Sequence, residues 1–180
     1  MKSSKGSEFE RSTCKLLSLW FSEGASDSLF WRTSQSGGRA TTRAKSNKLT
    51  TNSYGDVSFI DPTGQPLIDA CLIELKRGYT NDINPLDLLD KKKGTSIIFD
   101  WWEKASKERV LAGRQYTILI FQRNRRHSCV AISKPMARQL SDWFGNNPST
   151  IHVVADLELC IFRLKDFLDW ISPEFFKENK

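Results

Sequence analysis

The stretch Gly55-Asp56-Val57-Ser58-Phe59-Ile60-Asp61, followed beyond the turn Pro62-Thr63-Gly64-Gln65-Pro66 by Ala70-Cys71-Leu72-Ile73-Glu74-Leu75-Lys76, decides the fold. The first segment alternates apolar and polar residues and stops at Pro and Gly, the pattern of a strand running into a hairpin. The second is almost continuously apolar, as a central, buried strand is, and carries two charges near its end. Successive side chains point to opposite faces of a strand, so Glu74 and Lys76 share one face while Ile73 and Leu75 take the other. If the two strands pair as a hairpin, Asp56 at the start of one meets Glu74 and Lys76 at the end of the other.

That meeting has chemical consequences. Two carboxylates about 4 Å apart repel by several kcal/mol at an effective dielectric near 20. A divalent cation removes the repulsion, and oxygen ligands with open water positions select Mg²⁺ or Mn²⁺. The lysine beside them can orient or deprotonate a water that attacks phosphorus, or offset charge as the pentavalent state forms. The alternative is a plain ion pair between Glu74 and Lys76 at a sheet edge, and for Glu-x-Lys in an arbitrary strand that is the commoner case.

Upstream, residues 6–21 read as a helix ended by Gly24. Phe9, Thr13, Leu16 and Trp20 recur at helical spacing, with Glu10, Cys14, Leu17 and Phe21 beside them. Glu10 therefore heads an apolar stripe, where an acid is costly without a partner or a metal. An exposed first-turn acid favoured by the helix dipole is the other reading. A short strand is expected at 29–33. The connection from there to Asp56 is polar, rich in Gly, Ser and Thr, and carries Arg39, Arg43, Lys45 and Lys48 after Arg32 with no acidic residue. At about twenty residues it is long for a compact domain. Its side chains are those that backbone phosphates accept, although a flexible insertion would look the same.

Downstream, residues 77–94 form an irregular, charged excursion. A helix follows at 95–111 with Ile97, Ile98, Trp101, Trp102 and Ala105 on its apolar side. Strands at 116–121 and 128–132 are joined by Arg123, Arg125, Arg126 and His127, a second basic run without acids. The remainder reads as a helix near 135–144, strand pieces at 151–154 and 159–162, and a helix at 165–171. This order of elements is that of an α/β domain.

The whole chain agrees with a polyanionic partner. Its net charge is +6 and its pI near 9.2, and clusters of Lys and Arg unopposed by acids neutralise phosphates. The apolar fraction of 39% and charged fraction of 27% are those of a folded soluble protein, and 180 residues suffice for one domain with a sizeable core. No apolar run reaches the roughly 20 residues of a membrane span, and MKSSKGSEFER has no signal core. No membrane association is expected, and the protein should stay in the cytoplasm of a prokaryotic or phage-infected cell. Cys14, Cys71, Cys129 and Cys160 are far apart and suit reduced, buried thiols. With His127 and His152 alone, a histidine-rich metal centre is not expected.

The pattern Gly55-Asp56 … Ile73-Glu74-Leu75-Lys76 resembles the active site of the PD-(D/E)XK nuclease superfamily, with Gly-Asp where Pro-Asp is usual. Lys5-Gly6-x-x-x-Glu10-Arg11, then a helix, then Ser36-Gly37 in a polar loop before the aspartate, resembles the Holliday-junction resolvases of the archaeal type and related phage nucleases. The likeness spans about 5–133, and 134–180 carries no recognised motif. It is expected to be an extension packed on the core of one nuclease domain spanning 1–180. The resemblance implies a restriction-endonuclease-like α/β core, a mixed central β-sheet flanked by helices. It implies a metal-dependent DNA endonuclease with Asp56, Glu74 and Glu10 as metal ligands, Lys76 catalytic and Ser36 assisting. Mg²⁺ is the implied cofactor, with Mn²⁺ able to substitute. It also implies a homodimer, because a symmetric junction needs two sites related by a two-fold axis.

Candidate DNA contacts are Lys5, Arg11, Arg32, Arg39, Arg43, Lys45, Lys48, Arg77, Arg123, Arg125 and Arg126. Branched DNA is the leading substrate. Ordinary duplex, cut by a nuclease of restriction, homing or phage DNA-processing type, is the runner-up. A non-catalytic DNA-binding module is disfavoured because both carboxylates and the lysine are present. The long basic loop and the insertion behind Lys76 are the main departures from a minimal resolvase. Trp101, Trp102, Phe167, Trp170, Phe175 and Phe176 could line a dimer interface, but core packing is their expected role.

Overall fold

The computed structural model describes residues 5–33, 54–78, 96–153 and 158–178. Helix α1 (Lys5–Phe21) buries Phe9, Thr13, Cys14, Leu17, Ser18 and Phe21, while Leu16 and Leu19 face outward. The buried stripe is therefore rotated towards the Cys14 side of the expected one. Ser18 welds this helix to the chain that follows. Its hydroxyl donates to Cys14 O and accepts the Leu29 and Phe30 amides at 2.8–3.0 Å, which satisfies backbone groups that burial would otherwise leave costly.

Strand β1 (Phe30–Arg32) pairs antiparallel with β2 (Val57–Phe59), Trp31 opposite Ser58. The hairpin expected between the Asp56 segment and the Glu74 segment does not form. After β2 the chain enters a 3₁₀ turn, Pro62–Gly64, capped by the Asp61 carboxylate, which accepts the Thr63 amide at 2.8 Å. It continues as a short helix α2 (Gln65–Ala70), with Pro66 in its first turn where a missing N–H costs nothing. Leu67 and Ile68 are buried by that turn of helix, so the apolar side chains of the connection serve the core rather than a tight reversal. Strand β3 (Cys71–Arg77) then pairs in parallel with β4 (Tyr116–Gln122), Glu74 opposite Leu119. A parallel pair needs a long crossover, and helix α3 (Ile97–Leu111) lies within it.

The sheet continues antiparallel through β5 (Ser128–Ser133), and its order is β3-β4-β5-β7-β6, with β6 at Ile151–Val153 and β7 at Leu159–Arg163. Strand β3 is thus buried, as expected, but among the described residues it stands at the edge of the ladder rather than in its centre. The remaining helices are α4 (Lys134–Phe144), capped by the Ser133 hydroxyl, α5 (Leu164–Trp170) and α6 (Glu174–Glu178). This is the mixed sheet flanked by helices that the sequence implied, and residues beyond 133 supply two of its strands.

Alternation assigns the two faces. Ile73, Leu75, Ile118, Ile120, Val130, Ile132 and Phe162 join one core cluster with α1, α4, α5 and α6. Leu119, Phe121, Ala131 and Ile161 join Ile98, Phe99, Trp101 and Trp102 of α3 in the other. Glu74 and Lys76 alternate with Ile73 and Leu75 and so belong to the α3 side. Trp101, Trp102, Phe167, Phe175 and Phe176 are core residues by burial. The four cysteines are free thiols, three of them buried. Among the described residues no helix is long and apolar enough to cross a membrane.

Candidate active site

Gly55 sets the geometry of the site. Its φ is +73°, and a Cβ there would lie 2.8 Å from Ile73 O. Neither proline, locked near −65°, nor any other L side chain fits, which accounts for the Gly-Asp in this chain. The close approach puts Asp56 against the edge of β3 away from β4. The Asp56 amide donates to Ile73 O, and Asp56 Oδ2 accepts the Leu75 amide, both at 2.8 Å. The aspartate thereby occupies the place of the neighbouring strand that the hairpin would have supplied. Thr33 holds the turn from the other side, its hydroxyl donating to Gly55 O at 2.8 Å. Arg114 donates through Nη1 to Tyr54 O and Cys71 O at 3.3 and 3.2 Å.

Asp56 and Glu74 converge on Lys76. The lysine Nζ hydrogen-bonds Glu74 Oε1 and lies 4.0 Å from Asp56 Oδ2. Both carboxylate side chains are only 7% exposed and the lysine 20%, so the group is largely removed from water. Burial, and then the neighbouring Glu74 charge, push the Asp56 acid up to about 7, against the lowering pull of the Leu75 amide and Lys76. Glu10 adds to the rise. One lysine does not neutralise two buried acids, and the electrostatic deficit is what a hard cation relieves.

Glu10 is near enough for its charge to act on Asp56 and is itself more exposed, at 28%. Its Oε2 is 3.2 Å from Arg32 Nη1, so the acid on the apolar stripe has found a basic partner. The three-carboxylate metal set that the resemblance implied is not assembled. Among the described residues no group of three or more His, Cys, Asp or Glu side chains is close enough to hold a metal. The donors that do converge, two carboxylates of hard oxygen, still fit Mg²⁺. That ion is commonly held by one or two carboxylates, with water and substrate phosphate completing six ligands. Cys14 lies beneath the site, and burial followed by Glu10 and Asp56 pushes its thiol to about 12, which removes it as a nucleophile.

The other expected residues divide into three groups. Arg32 is engaged by Glu10, and Arg77 has its guanidinium 3.7 Å from Glu8 and 5.9 Å from the Phe9 ring. Arg32 thus ties the end of β1 to α1, and Arg77 ties the end of β3 to it. Arg123, Arg125 and Arg126 form the turn between β4 and β5. The Gly78 amide donates to Gln122 O at 3.1 Å, so that turn borders the same sheet end as Lys76. Arg11 is exposed on α1. Ser36, Arg39, Arg43, Lys45 and Lys48 lie outside the described residues, as does the side chain of Lys5. A cleft of about 200 Å³ lined by Leu16, His127, Arg163 and Lys165 shares no residue with the carboxylates.

One member of the neighbourhood was not anticipated. Glu108 of α3 is 5% exposed, and its carboxyl is raised by burial and then by the Glu74 charge. The signal was present in the sequence: Glu108 extends the α3 stripe Ile98, Trp101, Trp102, Ala105 exactly as Glu10 heads that of α1.

A mixed sheet with a buried aspartate set against a Glu-x-Lys strand is the arrangement that defines the PD-(D/E)XK class of nucleases. The chain belongs to the family described as phage putative PDDEXK endonuclease, whose model matches residues 1–178. Neither the curated proteins nor the solved structures include a match to it. Membership makes the protein a nuclease with DNA as its substrate.

Proposed function

We propose that this nuclease is a divalent-metal-dependent DNA endonuclease in which Asp56 and Glu74 hold Mg²⁺, with Mn²⁺ able to substitute, Lys76 acts on the attacking water, and Glu10 assists from α1. The observation that carries the reading is the pair of buried carboxylates facing one lysine at the end of β3. Asp56 Oδ2 accepts the Leu75 amide, which fixes the carboxylate against β3. A bound divalent cation supplies charge neutralisation and a lower pKa for its water. Lys76 Nζ, poised between the acids, orients or deprotonates a water, or meets the charge that develops on the phosphate oxygens. Ser36 is assigned an assisting role with Glu10.

The preferred substrate is branched DNA, four-way junctions above all. Support comes from the Lys5-Gly6-x-x-x-Glu10-Arg11 motif on α1, whose Glu10 pairs with Arg32 and contributes to the raised Asp56 acid. Phosphate contacts are assigned to Lys5, Arg11, Arg39, Arg43, Lys45, Lys48, Arg123, Arg125 and Arg126, and the working form is a homodimer of a single-domain chain. The core aromatics are unavailable for that dimer, so its interface lies elsewhere. The test is cleavage of matched junction, flap and linear duplex substrates in Mg²⁺ and in excess EDTA. Junction cutting that needs metal and exceeds duplex cutting supports the reading. Equal cutting of linear duplex makes the chain a duplex-processing nuclease, and full activity in EDTA removes the metal.

A further inference from the structure

Along the edge of β3 away from β4, the backbone groups of alternate residues need partners. Asp56 serves two of them, its amide donating to Ile73 O and its carboxylate accepting from the Leu75 amide, both at 2.8 Å. The next group along that edge, Cys71 O, cannot be served in the same way. Two residues before Asp56 the chain brings Tyr54 O to it, and a carbonyl cannot bond a carbonyl. Arg114 resolves the conflict. A single guanidinium nitrogen, Nη1, carries two hydrogens and donates to Tyr54 O at 3.3 Å and to Cys71 O at 3.2 Å.

Arg114 is 8% exposed, and burial disfavours its charge, drawing the guanidinium below its usual range. The side-chain hydrogen bonds it makes among the described residues go to these two carbonyls and to no carboxylate. An apolar side chain would fill the space without that cost, but it would leave both carbonyls without a donor. Arg114 is itself fixed at the junction of α3 and β4. Arg109 Nη1 donates to its carbonyl at 3.0 Å, and the next amide, Gln115, donates to Ala70 O at 3.0 Å. The bridge therefore sets the register of the Tyr54–Asp56 segment along β3. A slip of one residue would carry the Asp56 carboxylate off the Leu75 amide, and so away from Glu74 and Lys76. Gly55 between them, at φ +73°, is too free a residue to hold that direction unaided.

We propose that Arg114 is a positioning residue of the catalytic centre, bridging Tyr54 O and Cys71 O so that the Asp56 carboxylate is held beside Glu74 and Lys76. The proposal rests on the reading of Asp56 and Glu74 as metal ligands. Its test is Mn²⁺ binding by calorimetry, hydrogen exchange at the Asp56 amide, and single-turnover DNA cleavage, for the intact chain and for Arg114→Lys and Arg114→Met. An ammonium carries three N–H groups and can serve both carbonyls, so the lysine variant keeps Mn²⁺ affinity, cleavage and Asp56 exchange within about threefold of the parent. Methionine fills the space without a donor. Mn²⁺ affinity and cleavage then fall about tenfold or more, as with lost outer-shell partners of metal ligands, and Asp56 exchange quickens, while DNA binding in EDTA is preserved. Should the methionine variant fail to fold, Arg114→Gln, whose amide stops short of the carbonyls, carries the same expectation. Failure of both to fold makes Arg114 a determinant of the fold alone and overturns the proposal. So does a folded methionine or glutamine variant with parental Mn²⁺ affinity and Asp56 exchange, or a lysine variant as impaired as methionine. Absence of Mn²⁺ binding by the parent protein would instead remove the metal reading on which it stands.

Discussion

Asp56→Asn should make the metal-free protein more stable at pH 8, even though it destroys a catalytic group. The folded protein raises this acid from 3.8 to about 7. At ~1.4 kcal/mol for each tenfold change in proton affinity, ionising it inside the fold costs at most about 4 kcal/mol more than ionising it in the unfolded chain. Part of that cost is repulsion shared with Glu74, so ~2 kcal/mol is the contribution assigned to Asp56 alone. The sign follows from the direction of the shift. A folded-state value above the unfolded one gives stability that is fully present below pH 3.8 and is lost as pH climbs through about 7. Asparagine mimics the neutral acid and keeps an oxygen for the Leu75 amide. In EDTA the variant should melt roughly 4–8 °C higher than its parent at pH 8, at about 2–4 °C per kcal/mol for a chain of this size. The difference should shrink towards zero as pH falls to about 4. Adding Mn²⁺ should stabilise the parent by mass action and leave the variant unmoved. Thermal melts at the two pH values, with and without Mn²⁺, read all of this. A variant less stable than its parent at pH 8 in EDTA would refute the claim that Asp56 is an electrostatically strained, ligand-seeking acid.

Three further outcomes test the surroundings of that acid. Gly55→Ala brings a Cβ to 2.8 Å from Ile73 O at φ +73° and should cost about 2–4 kcal/mol in urea denaturation; a cost below about 0.5 kcal/mol would mean that the turn is not held as described. Glu10→Gln should slow single-turnover cleavage by about tenfold or more with melting temperature and DNA affinity little changed, and near-parental rates would reduce Glu10 to a surface partner of Arg32. Replacing Arg39 and Arg43 together with Ala should weaken DNA binding and lower the salt slope of log K by about 1.8; an unchanged slope would show that neither touches phosphate.

The long, strongly periodic elements were legible because burial imposes its period on the sequence. Strand alternation at Ile73–Lys76 gave the faces of β3 correctly, and the 3–4 spacing of α1 and α3 gave both helices. What escaped was what period cannot encode. Gln65–Ala70 is one and a half turns long, too short to display a helical repeat, so Pro62, Gly64 and Pro66 read as a hairpin turn. The parallel pairing of β3 with β4 depends on a crossover, and no local pattern announces it. Asp56 nonetheless reached Glu74 and Lys76 by a different route, through Gly55 and the strand edge away from β4. The site motif was legible because chemistry fixes its spacing along one strand, whereas Glu108 enters from a helix more than thirty positions later.

The central claim is that Glu74 and Lys76 are metal ligand and catalytic lysine rather than a structural ion pair, and they share a strand face that should fail in two different ways. Mn²⁺ binding by calorimetry beside single-turnover cleavage, for Glu74→Ala and Lys76→Ala, separates the cases most directly. Glu74→Ala should lose Mn²⁺ affinity and cleavage together, with excess Mn²⁺ restoring a little of the latter. Lys76→Ala leaves both acids and removes a positive charge lying 4.0 Å from Asp56, so Mn²⁺ should bind as tightly or more tightly while cleavage stays slow at every metal concentration. If both variants instead unfold, and Mn²⁺ binding in whatever remains folded is untouched, the pair is a structural salt bridge and the metal centre is not where the account puts it.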